Sequence, residues 1–360
     1  MEFENGRNDT FAKETIIFLF LFLFPLMKLA PIIVFAYDRP EHLKQTLAAL
    51  AKNDLASQSV LYVFCDGSRE WGGELQQKTI QASNDGEYIA KRYGKMHCTK
   101  EEYDDYLQRI AKVRAVAHNQ TGFKEVHVIE REKNIGLADN IVDAVTEIVN
   151  QYGRVIAFED DIVSTRGCLT YLNDALELYK YDEQVMHISA WMYPNRGQFP
   201  TTFFYDSPYP AGGWATWARA WKYYDGDTDG HIHYWQNRWD EFEIMGGEVL
   251  RRQLYANLDG RLNTWYVKWY SSMHKVGGLC LYPHTALSNN IGWDNSGETS
   301  FETNRYYVPQ PAEYIEVIRV PIKRNKKAYK YVRVWYSGHW YSKRYREKWI
   351  AKIKDVLRIK

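Results

Sequence analysis

The 360-residue sequence has only four cysteines, Cys65, Cys98, Cys168 and Cys280, far apart and with no Cys-x-x-Cys pair. That spacing excludes a disulfide framework and a zinc knuckle, and leads us to expect free thiols in a reducing compartment. The ten histidines show no His-Glu-x-x-His spacing, so the zinc-protease helix is absent. Neither Gly-x-x-x-x-Gly-Lys-Ser/Thr nor Gly-x-Gly-x-x-Gly occurs, which argues against P-loop ATPases and dinucleotide enzymes. No fixed-period repeat or low-complexity segment is visible. The N-terminal apolar run, Ile16 to Met27, is about a dozen residues, well short of the ~20 that a spanning helix needs. Glu2, Glu4, Asp9 and Glu14 outweigh Arg7 and Lys13 ahead of it, the wrong flank for a signal peptide. Residues 1–28 therefore read as an extension, either from an upstream start codon or as a short anchor, with the folded domain opening near Met27-Lys28.

What the sequence does hold is a globular balance, 45% hydrophobic and 25% charged, with 13 Trp and 28 Tyr. Its most informative stretch is Val155-Ile-Ala-Phe-Glu-Asp-Asp-Ile162. A continuous apolar run of this length predicts a strand buried on both faces of a parallel sheet. The three carboxylates that end it cannot be core, since unpaired buried acids are too costly. In open α/β sheets ligands collect beyond the carboxyl ends of the strands. Adjacent carboxylates there suit a hard divalent cation that also binds phosphate oxygens. An acidic turn capping the next helix is the plain alternative.

Around this stretch, strand and helix alternate. Strands are expected at Ile32–Tyr37, Val60–Cys65, Val126–Ile129 and Val185–Trp191, with helices over Glu41–Lys52, Gly73–Arg92, Lys100–His118, up to about Asn150, and Cys168–Tyr179. The alternation predicts an α/β fold with a doubly wound, mostly parallel sheet and helices on both faces. Asp38-Arg39, Asp66 and Glu159-Asp160-Asp161 all fall at strand carboxyl ends, and topology would bring them to one rim. Arg39 could hold a phosphate or a base carbonyl, and Asp66 could accept from an imide N–H. One acid of the triplet could take the ribose hydroxyls and another the metal. After Trp191 aromatics and turn residues dominate, and helical patterns surround Glu241–Leu254 and Asn263–Met273. The chain divides into a nucleotide-binding half, 29–192, an aromatic-rich acceptor-side half, 193–303, and a basic tail, 304–360.

Taken together, Pro31–Arg39, Asp66-Gly67, Val155–Ile162, Ile188-Ser-Ala-Trp191, Gly212-Gly213-Trp214, Asn263-Thr-Trp265 and Tyr282–Gly297 resemble metal-dependent glycosyltransferases of the GT-A fold. The likeness is to bacterial family-2-type sugar transferases that share a pattern with N-acetylglucosaminyltransferase I. The resemblance implies an inverting enzyme using a nucleotide-sugar donor, a UDP-sugar, with Mn²⁺ or Mg²⁺ on the pyrophosphate. It places Arg39, Asp66, Glu159, Asp160, Gly213 and Trp214 at the donor, Asp161 on the metal, and Trp265 against a sugar face. Trp217 and Trp221 are expected to pack in the core. The family's Asp-Asp is Asn263-Thr264 here, and its late histidine falls at about Thr299. Neither Asn nor Thr can serve as a general base. Asp259 is the nearest substitute, with Asp240 and Asp294 as alternatives. The competing readings are a sugar-nucleotide nucleotidyltransferase and an inactive carbohydrate-binding relative.

The net charge of +1 hides an asymmetry. Between Lys323 and Lys360 there are 14 Lys/Arg against Glu347 and Asp355, a net +12. Trp349, Ile350, Ile353, Val356 and Leu357 recur at helical spacing there, the pattern of a cationic helix lying on an anionic membrane surface. The expectation is a cytoplasmic protein, peripheral on the inner face of the cell membrane, acting on a glycan or lipid-linked acceptor. No nucleic-acid module accompanies the basic tail, so nucleic acid is not expected as a partner.

Overall fold

The computed structural model describes residues 28–73, 95–195, 199–209, 211–243, 248–296 and 303–335. The apolar run Ile16–Met27, most of the helix expected over Gly73–Arg92, position Thr299 and the cationic segment Tyr345–Lys360 lie outside the described residues.

Three apolar runs form the centre of the sheet: β1 (Ile32–Ala36), β2 (Val60–Cys65) and β4 (Arg154–Glu159). β1 lies between the other two and is parallel to both, with Ile32 opposite Leu61 and Ile156. β3 (Glu125–Glu130) adds in parallel outside β2 and forms one edge. Side chains of β1 alternate between two separate cores, as a strand's period of two demands. Ile33 and Phe35 join one core; Ile32, Val34 and Ala36 join the other. The helices divide accordingly. α1 (Pro40–Ala51) opens with proline at its first turn, where the missing N–H costs nothing, and buries Leu43, Leu47 and Leu50 on one face. α2 (Lys100–His118) starts at a capping box in which Thr99 and Glu102 satisfy each other's backbone N–H. α3 (Leu137–Tyr152) covers the opposite face with Ile141, Val145 and Ile148. After β5 (Ile162–Ser164), α4 (Cys168–Leu178) returns to the α1 side. The sheet is wound on both faces.

The second half of the chain completes the same sheet. β6 (Val185–Ser189) is followed by β7 (Thr202–Tyr205), β8 (Trp214–Trp217) and β9 (Leu279–Pro283). The full order is β3-β2-β1-β4-β8-β6-β9-β7, with β8 antiparallel to both β4 and β6, and β7 antiparallel to β9. Alternation of strand and helix predicts the parallel part; β7 and β8 both run against it, the chain having turned back between β6 and β7. A short α5 (Ala218–Trp221) leads to α6 (Thr228–Trp235), α7 (Trp239–Glu243), α8 (Glu248–Leu258) and α9 (Tyr266–Lys275). β10 (Ser288–Asn290) pairs antiparallel with β5, forming a two-stranded ribbon beyond the end of β4. All four cysteines are free. Among the described residues no helix is long and apolar enough to cross a membrane.

Residues 323–335 are docked on the body of the protein. Asn325 N donates to Phe204 O at 2.8 Å beside the edge strand β7, and Arg324 pairs with Asp206. Ala328 and Val332 are buried.

Candidate active site

The parallel order 3-2-1-4 reverses direction at β1, so the crevice between β1 and β4 is the topological switch point of the sheet. Register sets Phe35 opposite Glu159. The residues that follow each strand therefore face one another: Tyr37-Asp38-Arg39 from β1 and Asp160-Asp161 from β4. Arg39 Nη2 donates to Asp161 Oδ2 at 2.9 Å and also to Asp160 Oδ1. Asp160 and Asp161 are 4% and 5% exposed, Glu159 more so. Burial, only partly opposed by Arg39, pushes Asp160 up to about 6. Burial and then the charge of Asp161 push Glu159 up to about 8. The two acids outweigh burial and raise Arg39 further above its ordinary range. Two aspartates sharing one guanidinium leave uncompensated negative charge at the rim.

The acids are held by groups remote in sequence. Thr46 Oγ1 donates to Asp160 O at 2.7 Å, and Ile291 N donates to Asp161 O at 2.8 Å. Asn290 orients its amide by accepting from Gly292 N at 2.7 Å, which leaves Nδ2 to donate to Asp161 Oδ1 at 3.2 Å. Gly292 sits so close that a Cβ there would lie 2.1 Å from Asp161 Oδ2 and 2.9 Å from Arg39 Nη1. The loop ends at Asp294, whose Oδ2 is 3.1 Å from His42 Nε2 on α1. Sequence reading missed Asn290, Gly292, Thr46 and His42. The run Asn289-Asn290-Ile291-Gly292-Trp293-Asp294 was a usable signal, since polar residues follow a buried strand there.

Asp66 does not reach this cluster through its side chain. Its carboxylate accepts from Gly67 N, Ile135 N, Gly136 N and Asn134 Nδ2 at 2.8–3.0 Å. Burial raises its proton affinity, and the three backbone N–H groups pull it back. Its acceptor sites are taken by the chain's own donors, and it clamps the turn that starts α3. A Cβ at Gly67 would lie 2.3 Å from Lys133 C, so this close approach also requires glycine. The Gly212-Gly213 turn is beside the acids, since Asn290 Nδ2 also lies 3.5 Å from Ala211 O. Gly213 has φ +79° and leaves no room for a Cβ against Phe158, 2.4 Å away; Gly212 faces Trp191 just as closely.

The tryptophans behave differently from a sugar platform. Trp214 is 1% exposed and stacks on His187 and on Trp265, with ring centroids 5.2 and 5.0 Å apart. Trp265 is 5% exposed, so in this arrangement it offers a sugar no open ring face. Trp217 and Trp221 are core residues, each 4% exposed. Asn263 Nδ2 donates to Asp139 Oδ1 at 2.8 Å, and Thr264 Oγ1 accepts from Asn257 Nδ2 at 2.8 Å. Asp259, at the end of α8, is exposed and held by Arg261 Nε and Nη2 at 2.8 and 2.6 Å. Those bonds lower its affinity for a proton. Asp240 is exposed on α7.

The oxygens of Asp160 and Asp161 suit a hard divalent cation. Among the described residues no group of three histidine, cysteine or carboxylate side chains is placed to hold a metal on its own. Further oxygen ligands would have to come from water or a bound phosphate.

No family model matches the chain, and no curated protein matches it. Among solved structures, the galactosyltransferase LgtC in complex with donor and acceptor sugar analogues is 11% identical over 70% of this chain and 72% of its own, with a TM-score of 0.33. A UDP-glucose pyrophosphorylase complexed with UDP-glucose is 7% identical over 72% of this chain and 92% of its own, with a TM-score of 0.32. TarS of S. aureus is 15% identical over 48% of this chain, with a TM-score of 0.25; the match spans 23% of TarS. Likenesses at this level fix neither the fold nor the chemistry of this chain.

Proposed function

We propose that the chain is a metal-dependent glycosyltransferase of GT-A type that moves a sugar from a UDP-sugar to a glycan or lipid-linked acceptor, with inversion. The observation that carries this reading is the Arg39–Asp160–Asp161 cluster at the switch point between β1 and β4. A nucleotide diphosphate entering that crevice meets a guanidinium whose planar fork matches phosphate oxygens. Asp161, with Asp160 beside it, would hold Mn²⁺ or Mg²⁺, which when bound offsets charge developing on the leaving diphosphate. Asp66 contributes as the clamp that sets the rim between Gly67 and Gly136, and the Gly212-Gly213 turn as a backbone wall beside the acids.

In transfer, the acceptor oxygen bonds the anomeric carbon as the carbon–oxygen bond to the diphosphate breaks, and a carboxylate takes the acceptor's proton. Asp294 is on the loop that touches Asp161, is 45% exposed at its side chain, and is steadied by His42. That placement favours it as the base. Asp259 would first have to leave Arg261. The test is thermal shift with UDP and Mn²⁺, followed by hydrolysis of a UDP-sugar panel. Mn²⁺-dependent stabilisation and slow hydrolysis of one donor are expected. Asp161→Asn should abolish the first, and Glu159→Gln should weaken it less. No response to UDP with Mn²⁺, and no donor hydrolysed, would refute the reading.

A further inference from the structure

The cluster has one cation already, supplied by the chain. Arg39 Nη2 reaches both acids, and the side chain is 17% exposed, so it stands between them and the open rim. The backbone that carries its two carboxylate partners is pinned. Thr46 pins the Asp160 carbonyl, Ile291 N pins that of Asp161, and Asn290 Nδ2 holds Asp161 Oδ1. The long arginine side chain is the movable member. Left alone it stays, because withdrawing it would leave two buried carboxylates without their counter-charge.

We propose that Arg39 is a resident counter-cation that couples nucleotide and metal binding: a diphosphate draws the guanidinium off Asp160 and Asp161, and a divalent cation takes its place. This rests on the nucleotide-sugar reading of the site. Each ligand alone meets an obstacle. A metal ion without nucleotide competes with a guanidinium in contact with both acids. A nucleotide without metal must take Arg39 from carboxylates that then repel its phosphates. Each entry removes the other's obstacle, so the coupling is positive and, by linkage, equal in both directions.

The experiment is a Mn²⁺ titration followed by electron paramagnetic resonance, using the full chain with and without saturating UDP. In the wild type, UDP should tighten Mn²⁺ binding by about tenfold or more. Arg39→Met, which keeps the stem and removes the charge, should bind Mn²⁺ alone about tenfold more tightly than wild type, bind UDP more weakly, and gain less from UDP. Arg39→Gln, which keeps N–H donors for the acids, covers the case in which the methionine variant melts early; it should show the same direction. A gain in Mn²⁺ affinity without UDP in either folded variant supports the proposal. Equal or weaker Mn²⁺ binding in both overturns it. A wild type that binds Mn²⁺ but no UDP refutes the nucleotide-sugar reading instead, and the Mn²⁺-only comparison still decides the role of Arg39.

Discussion

Gly292→Ala isolates the contact between the β10 loop and the acids. The backbone at 292 is not in the left-handed region, so alanine is sterically acceptable to the chain itself. The added methyl would lie 2.1 Å from Asp161 Oδ2 and 2.9 Å from Arg39 Nη1, where ordinary contact needs at least about 3.4 Å. The backbone cannot yield easily, because Ile291 N is bonded to Asp161 O at 2.8 Å. The carboxylate must therefore turn by more than an ångström and surrender its place opposite Arg39. Overpacking of this kind costs about 1–3 kcal/mol. Losing one charge-assisted hydrogen bond geometry costs about 1.5–3 kcal/mol, or roughly 10- to 150-fold in affinity. The assay is calorimetric titration of UDP in Mn²⁺ beside thermal melting. We expect a melting point lower by a few degrees and UDP–Mn²⁺ affinity down by at least ~10-fold. Gly226→Ala is the control, since a Cβ there meets nothing within 4 Å and its φ is ordinary. A Gly292→Ala protein with the melting point and affinity of the control would refute the placement of this loop.

Three further outcomes are expected. Asp294→Asn should lower donor hydrolysis by ~10²–10⁴-fold while UDP affinity stays within about threefold; if Asp259→Asn does this and Asp294→Asn does not, the base lies on α8. His187 is fully buried, and burial holds its imidazole down to about 3. The unfolded chain takes up that proton near pH 6.5, so stability is full above that value and declines as pH falls toward 3, by about 2 kcal/mol at pH 5. His187→Gln should flatten the melting-point slope between pH 7 and 5 relative to wild type; an unchanged slope would assign the acid sensitivity to other groups. A chain ending after Trp335 should melt like the full protein yet lose salt-sensitive binding to anionic vesicles, whereas one ending before Lys323 should melt lower because Ala328 and Val332 leave their buried sites. Equal vesicle binding by the full and shortened chains would reduce the tail to a solvated segment.

The parallel half of the sheet was legible because β1, β2 and β4 are short apolar runs bounded by turn residues, a pattern that suits a strand buried on both faces. The acid-bearing strand end was legible for the complementary reason that its three carboxylates do not belong in a core. β7 and β8 were not. Each is four residues long, and Thr-Phe-Phe-Tyr and Trp-Ala-Thr-Trp among turn residues carry no period that separates a strand from an aromatic loop. The hydrogen bond from Asn290 to Asp161 spans 129 residues, and nothing local in either segment announces it. Asp66 and Trp265 show the opposite limit. The motif located them, but only packing reveals that Asp66 is spent on its neighbours' N–H groups and Trp265 on Trp214.

The insertion of β9 between β6 and β7 sets an order of assembly on the ribosome. Among the described residues β7 pairs with the sheet only through β9, which is made more than seventy residues later. Until then its Thr-Phe-Phe-Tyr segment, buried throughout in the finished protein, has no strand to join. Its outer edge waits longer still, for Asn325 to cap Phe204. A nascent chain stalled between Tyr205 and Leu279 would thus carry a bare aromatic strand with two free edges, which is the form most prone to pair with another chain. Helices α5 to α9, translated in that interval, must fold around a gap in the sheet that only β9 fills.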